Sequence, residues 1–131
     1  MKIVVYDENQ KSLDQLSQLI KDNVRSDDVV SAFVHEDELI EYTKEYLTDG
    51  AFLSLYEDGK ALHLVDKLHE VNAKMNIVFV SESEQYLTEA FQLHISGFIK
   101  APAAGEDIRR EMQNLRFHVE EFRKASLDEK K

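Results

Sequence analysis

The sequence predicts a single α/β domain in which a parallel sheet carries helices on both faces. Two nearly continuous apolar runs, Lys2–Tyr6 and Asn76–Val80, are rich in β-branched residues, which is typical of strands buried on both faces. Apolar residues at helical spacing fill the stretches between such runs, and this alternation of strands and helices indicates a parallel sheet. Three further strands are predicted at Val29–Val34, Ala51–Tyr56 and Ser96–Lys100.

A predicted helix follows each strand and is recognised by an apolar stripe at steps of three and four residues. The second helix covers residues 35–47, has acidic residues in its first turn, and has Gly50 as its predicted C-terminal stop. The fifth is predicted to be long, from Glu106 to Ala125. The other stripes are Leu13, Leu16, Ile20 and Val24; Leu62, Val65 and Leu68; and Leu87, Ala90, Phe91 and His94.

Five alternating strands and helices are typical of a flavodoxin-like, doubly wound (βα)5 domain with strand order 2-1-3-4-5. In such a fold the functional crevice lies outside the carboxyl ends of strands 1, 3, 4 and 5. Candidate functional residues are therefore those that end or follow these four strands.

Composition excludes several classes of function. The chain has 131 residues, enough for one domain, and a formal net charge of −10, which argues against direct binding to nucleic acid. It has no cysteine, so disulfides and thiol nucleophiles are excluded. No apolar run approaches the roughly 20 residues of a membrane helix, and we expect a cytoplasmic protein with no membrane contact. We expect a domain over residues 1–125 and a charged tail or linker over 126–131.

Polar residues stand at three of the predicted strand ends. Asp7 and Glu8 follow the first strand, where paired carboxylates suit Mg²⁺ or simply form an acidic helix N-terminus. Ser81 follows the fourth strand and either bonds a ligand oxyanion or caps the next helix. Lys100 ends the fifth strand and precedes Ala101 and a proline.

In combination, these strand ends resemble the receiver domain of two-component response regulators, the CheY-like domains. The resemblance covers Met1 to about Lys124, and the segment VFVSESEQYLTEAF resembles receivers that precede LytTR DNA-binding domains. It implies that Asp7 and Glu8 are the Mg²⁺-binding pair. It also implies that Ser81 and Phe98 are the hydroxyl and aromatic residues that switch on phosphorylation.

The residue that accepts the phosphoryl group in this family is an aspartate that ends the third strand. By resemblance, Ser54 occupies that position, and Asp58 and Gly59 are the family's Asp-Gly, reached through a shortened loop. A register in which Glu57 ends the strand is the alternative. The family's lysine directly precedes a proline, so Ala101 takes its place unless a bulge restores Lys100.

The resemblance therefore implies a degenerate receiver, or pseudo-receiver. It would not be an enzyme, would need no cofactor beyond weakly bound Mg²⁺, and would regulate transcription through protein–protein contacts. One alternative is a working receiver that is phosphorylated at Glu57 or Asp58. Another is an unrelated flavodoxin-like domain that binds a nucleotide or flavin, although no glycine-rich phosphate loop follows the first strand.

The long fifth helix also suggests a partner. We predict a homodimer through the helix 4, strand 5 and helix 5 face, with Phe122 near the two-fold axis, and an attached DNA-binding domain or a partner regulator is the expected output. The predicted seam consists of Ile108, Met112, Leu115, Val119 and Phe122, whose four-three spacing suits a second helix.

Overall fold

A computed structural model describes residues 1–117 and residue 119. Its strands are β1 (Lys2–Tyr6), β2 (Val29–Phe33), β3 (Gly50–Ser54), β4 (Asn76–Ser81) and β5 (Gly97–Lys100). Its helices are α1 (Gln10–Asn23), α2 (Glu36–Glu45), α3 (His63–Val71), α4 (Leu87–Gln92) and α5 (Gly105–Gln113), with a short 3₁₀ turn at Lys60–Leu62 before α3. In this part of the chain no helix is long and apolar enough to cross a membrane.

The five strands form one parallel sheet in the order β2-β1-β3-β4-β5, which confirms the predicted flavodoxin-like fold. Tyr6 at the end of β1 pairs with Leu53, and Ser54 at the end of β3 pairs with Val80. Ser81 at the end of β4 pairs with Lys100. This register brings the carboxyl ends of the central strands to the same level, at one end of the sheet.

An apolar layer covers each face of the sheet, because alternate residues of the central strands point to opposite sides. On one face, Val4 and Phe79 belong to a buried cluster with Leu64 and Leu68 of α3. The other cluster contains Ile3, Val5, Phe52 and Val78 of the sheet together with Leu13, Leu16, Ile20 and Ile108. Burying each of these large side chains stabilises the fold by about 1.5–3 kcal/mol.

Two predicted boundaries on either side of Gly50 were wrong. The second helix ends at Glu45, and Gly50 is the first residue of β3, where it pairs with Ile3 and Asn76. A Cβ at Gly50 would lie 3.3 Å from the terminal methyl group of Met1, which is a tight contact at a buried strand position. The third strand ends at Ser54 rather than Tyr56.

The predicted length of the fifth helix was also wrong, because α5 ends at Gln113 and residues 114–117 are not helical. Instead, Phe117 bonds to the side chain of Asn76 at the amino end of β4. Its N–H donates to Asn76 Oδ1 at 2.8 Å, and Asn76 Nδ2 donates to its carbonyl at 3.1 Å. Buried Asn76 thereby replaces the helical hydrogen bonds of this segment. Phe122, the predicted boundary at 125 and the tail over 126–131 lie outside the described residues.

Candidate functional site

A cavity of about 600 Å³ opens at the carboxyl ends of β1, β3 and β4, between α1 and the segment that follows β5. We call it the crevice. It lies where this fold places its ligand sites. Its lining residues are Asp7, Ser12, Gln15, Leu16, Leu19, Ser54, Leu55, Tyr56, Glu57, Val80, Ser81, Glu82, Ser83, Ala101, Pro102 and Ala103.

Ser54 ends β3 and faces the position of Asp7, because the preceding residues, Leu53 and Tyr6, are paired across the two strands. Glu57 lies three residues farther along, in the exposed loop. The Ser54 side chain is only 7% exposed and lines the crevice. Within the described part of the chain it has no side-chain hydrogen-bond partner. A hydroxyl therefore occupies the place where the register puts the end of the third strand.

The Asp7 carboxylate is buried, with 2% exposure, and is covered by Tyr56. The Tyr56 hydroxyl donates to Asp7 Oδ1 at 2.6 Å, and the Asn9 N–H donates to the same oxygen at 2.9 Å. Burial, followed by the hydrogen bond to Asp7, raises the pKa of Tyr56 to about 12. The phenol therefore keeps its proton at neutral pH and donates it in a hydrogen bond to a carboxylate oxygen that a metal would need.

Asp7 and Glu8 line different cavities. Asp7 lines the crevice, whereas Glu8 lines a second cavity of about 40 Å³ together with Glu36 and Asp58. Burial, and then the carboxylates of Glu36 and Glu8, raise the pKa of Tyr6 beside this second cavity to about 12.

These positions do not fit a tight Mg²⁺ site. Mg²⁺ prefers an octahedral set of oxygen ligands that usually includes one or two carboxylates. Here one oxygen of Asp7 already accepts two hydrogen bonds, and position 54 supplies no carboxylate. Among the described residues, no group of three or more acidic or histidine side chains is placed to hold a metal ion.

The loop after β3 is tied to the loop after β4 by a second tyrosine. Tyr86 donates its hydroxyl to the carbonyl of Glu57 at 2.6 Å, and Gln85 Nε2 donates to the same carbonyl at 3.3 Å. Gly59 has a φ of 68°, and a Cβ there would meet the Tyr86 ring at 2.8 Å. The turn therefore needs glycine both for its backbone conformation and for the approach of the ring.

The roles of Tyr56 and Tyr86 were not predicted from the sequence. The available signal was the shortened loop after β3, because a short connection leaves an aromatic residue at its start directly above the strand ends. Tyr86 lies in the segment VFVSESEQYLTEAF, which resembles receivers that precede LytTR domains. Its contact with Glu57 joins residues 29 positions apart, which no local pattern reports.

The remaining predicted switch residues lie on β4 and β5, and only one of them lines the crevice. Ser81 is 5% exposed, lines the crevice, and its Oγ accepts a 3.3 Å hydrogen bond from the Ser83 N–H. Phe98 is half-buried and packs on the α3 side of the sheet. Lys100 is exposed and Ala101 lines the crevice instead. The ammonium group predicted as the less favoured alternative is therefore not part of the cavity wall.

The predicted dimer seam packs largely within its own domain. Ile108 is fully buried, and Met112, Leu115 and Val119 pack against the same cluster on the α1 side of the sheet. Val119 therefore packs on its own domain, whereas the predicted seam would place it against a second copy of the chain. On α4, by contrast, Phe91 is 45% exposed.

This arrangement of strands, helices and crevice recurs in solved structures. The response regulatory domain of protein mrkE from Klebsiella pneumoniae is 22% identical, with a TM-score of 0.72 over 88% of this chain and 94% of that one. A CheY-like response regulator receiver domain from Methylobacillus flagellatus is 16% identical, with a TM-score of 0.74 over 86% of this chain and 96% of that one. This chain has the receiver-domain fold.

A two-component response regulator from Clostridium difficile is also similar, at 17% identity and a TM-score of 0.72, over 86% of this chain and 93% of that one. No protein-family model matches the sequence, and neither does any curated protein. At these identities the structural likeness establishes the fold, and the function must be argued from the residues of the crevice.

Proposed function

We propose that this chain is a receiver-like signalling domain of a two-component-type transcription regulator, and that it works without phosphoryl transfer. The observation that carries the proposal is Ser54 at the end of β3, beside the buried carboxylate of Asp7. An acceptor at this place must attack phosphorus as an anion, as a carboxylate does at neutral pH. A serine hydroxyl has no such anion unless a base removes its proton.

Two further features support the same reading. Tyr56 donates to Asp7, so binding a metal to that oxygen would first break a hydrogen bond to a charged group. Ala101 lines the crevice and Lys100 does not, so no ammonium is available there to neutralise a phosphoryl group. The crevice thus lacks an acceptor carboxylate and an ammonium group, and the Asp7 oxygen that would bind a metal is already hydrogen-bonded.

The test is incubation with acetyl phosphate and Mg²⁺, followed by intact-mass measurement. We expect no mass gain for the wild type. The double variant Ser54→Asp/Ala101→Lys, which restores an acceptor carboxylate and an ammonium, is the control that the conditions can phosphorylate this fold. A gain of one phosphoryl group in the wild type, mapped to Ser54, Glu57 or Asp58, would overturn the proposal.

The alternative, phosphorylation at an unusual carboxylate, has one observation in its favour, because the exposed Glu57 lines the crevice. Its backbone carbonyl is held by Tyr86 and Gln85, which limits how far Glu57 moves toward Asp7. Asp58 lines the second cavity instead. The same mass experiment separates the two acids, because Glu57→Gln would abolish a gain carried by Glu57 and leave one carried by Asp58.

In this proposal the output is a protein contact, to an attached DNA-binding domain of the LytTR type or to a partner regulator in the cytoplasm. The α4, β5 and α5 face remains our predicted homodimer surface, and Phe91 on α4, which is 45% exposed, is the residue chosen to test it. Sedimentation at roughly 100 micromolar, well above a micromolar dimer constant, tests it. We expect Phe91→Glu to be monomeric and Val29→Glu, which is on the far edge of the sheet, to dimerise like the wild type. A monomeric wild type would contradict the dimer.

A further inference from the structure

The size and wall of the crevice suit a small organic molecule. Its volume of about 600 Å³ lies within the range of roughly 300–1,000 Å³ that is usual for small-molecule sites. Leu16 and Leu19 of α1 form an apolar side, and Val80, Ala101 and Pro102 extend it. This apolar wall is larger than a phosphoryl group or a metal ion would use.

The charge of the crevice has one sign. Three carboxylates line it, from Asp7, Glu57 and Glu82, and none of the lining residues is Lys, Arg or His. A cleft lined by charge of a single sign focuses the potential and raises the local concentration of oppositely charged ligands. The crevice therefore attracts cations and repels anions, phosphate included.

Two polar atoms at its floor are left without protein partners. The residue Ser54 is 7% exposed, lines the crevice and has no side-chain hydrogen bond in the described part of the chain. Both hydrogen bonds that Asp7 accepts go to Oδ1, which leaves Oδ2 without a donor from any described residue. Both atoms are open to the crevice rather than sealed from water, so a donor from water or from a ligand can pair with them.

We infer that the crevice is a binding site for a small organic cation, in which an ammonium or guanidinium group meets Asp7 and Ser54 while a short apolar body lies against Leu16, Leu19 and Pro102. The cation supplies N–H donors, the carboxylates supply its counter-charge, and the apolar wall removes its hydrocarbon part from water. The inference goes beyond the proposed function and rests on it only in that no phosphoryl group occupies the same space.

The first experiment uses three probes with the same six-carbon chain: n-hexylammonium, 1-hexanol and hexanoate. Binding is followed through amide chemical shifts of the ¹⁵N-labelled full chain, with EDTA present to remove metals. We expect hexylammonium to bind with a dissociation constant in the millimolar range, as is usual for so few atoms. Its shifts should centre on Ser54, Ser81 and Ala101. Hexanol should bind at least tenfold more weakly, and hexanoate should not bind.

The second experiment adds a positive charge to the wall with Ala101→Lys. In an open crevice with an effective dielectric constant of about 40, between the values for a protein surface and for water, a unit charge about 6 Å from the probe should weaken hexylammonium binding about tenfold. The matched control is Ala32→Lys, which makes the same change of net charge at an exposed position on the edge strand and should leave binding unchanged. Ser54→Ala, which only removes a hydroxyl, should weaken binding as well and keeps the test valid if Ala101→Lys fails to fold.

Three results would overturn the inference: equal binding of hexylammonium and hexanoate, equal loss in Ala101→Lys and Ala32→Lys, or shifts that centre away from the crevice. Equal binding of hexanol would also overturn it, because the site would then be only apolar. None of these results depends on phosphorylation, and the acetyl phosphate experiment does not depend on the probes. Failure of this inference is therefore distinguishable from failure of the proposed function.

Discussion

Replacing Ser54 by Asp places a second carboxylate beside the buried Asp7. Neighbouring strands lie about 4.8 Å apart, so the two carboxylates would be roughly 5–6 Å apart. At an effective dielectric constant of about 20, two like charges at that separation repel by about 3 kcal/mol. Both positions are buried, at 7% and 2% exposure, so salt screens the repulsion little. For a chain of this size, that loss lowers the melting temperature by about 10 °C.

The matched control is Ser54→Asn, which has the shape of aspartate and no charge. Both variants carry the same steric cost, so the charge effect is the difference between their melting temperatures in metal-free buffer. Like-charge repulsion raises the pKa of the carboxyl pair in the folded state. The penalty is therefore present at pH 7 and disappears as the pH falls below about 4, where the carboxyls are protonated.

Mg²⁺ provides an independent measurement on the same variant. We expect the wild type to bind Mg²⁺ in the millimolar range or more weakly, and Ser54→Asp to bind it more tightly. At a Mg²⁺ concentration ten times the dissociation constant, binding restores about 1.4 kcal/mol. If Ser54→Asp and Ser54→Asn melt together at pH 7 and neither responds to Mg²⁺, position 54 does not face Asp7 and the assignment of the acceptor position is wrong.

Three further predictions follow from side-chain contacts around the sheet. Tyr56→Phe removes a donor to a buried carboxylate and should lower the free energy of unfolding, measured in urea, by about 1–2 kcal/mol. The control Tyr46→Phe, at similar exposure, should lower it by less than about 0.5 kcal/mol, as is usual for surface substitutions. Gly59→Ala forces a positive φ on a side chain that would meet Tyr86, and we expect a loss of about 2 kcal/mol; a loss below about 0.5 would contradict the packing. Burial raises the pKa of Glu111, so the folded state favours its protonated form and stability falls as the pH rises above the ordinary glutamate value. Glu111→Gln should flatten that part of the pH profile, measured by thermal unfolding from pH 4 to 7, and an unchanged profile would refute the cause.

Most of the fold could be predicted because its signals are local. Buried parallel strands are continuous apolar runs, and β1 was found at both of its ends. The end of α5 could not be predicted in this way. The apolar spacing continues past Gln113, but the helix ends there, and Asn76, 41 residues before Phe117, supplies hydrogen bonds to Phe117 instead. A contact at that separation leaves no periodic trace in the sequence.

The candidate site could be predicted to a similar extent. Residues at strand ends are placed by the strands themselves, so Asp7, Ser54 and Ser81 were predicted to meet and do line one crevice. The sites of adjacent residues are harder to predict, because successive side chains point in different directions. Glu8 accordingly lines a different cavity from Asp7. The contact between Tyr56 and Asp7 depends on the path of the shortened loop, which spacing alone does not give.

The hydrogen bonds between Asn76 and Phe117 also bring two distant parts of the chain close together. They hold Phe117 beside the amino end of β4. Lys2 begins β1 at the same end of the sheet, two strands away. With a strand spacing of about 4.8 Å, Lys2 and Phe117 are separated by roughly 10–15 Å. A peptide of about five residues would span this gap. Because the crevice lies at the opposite end of the strands, a covalent link between these two positions would leave it open.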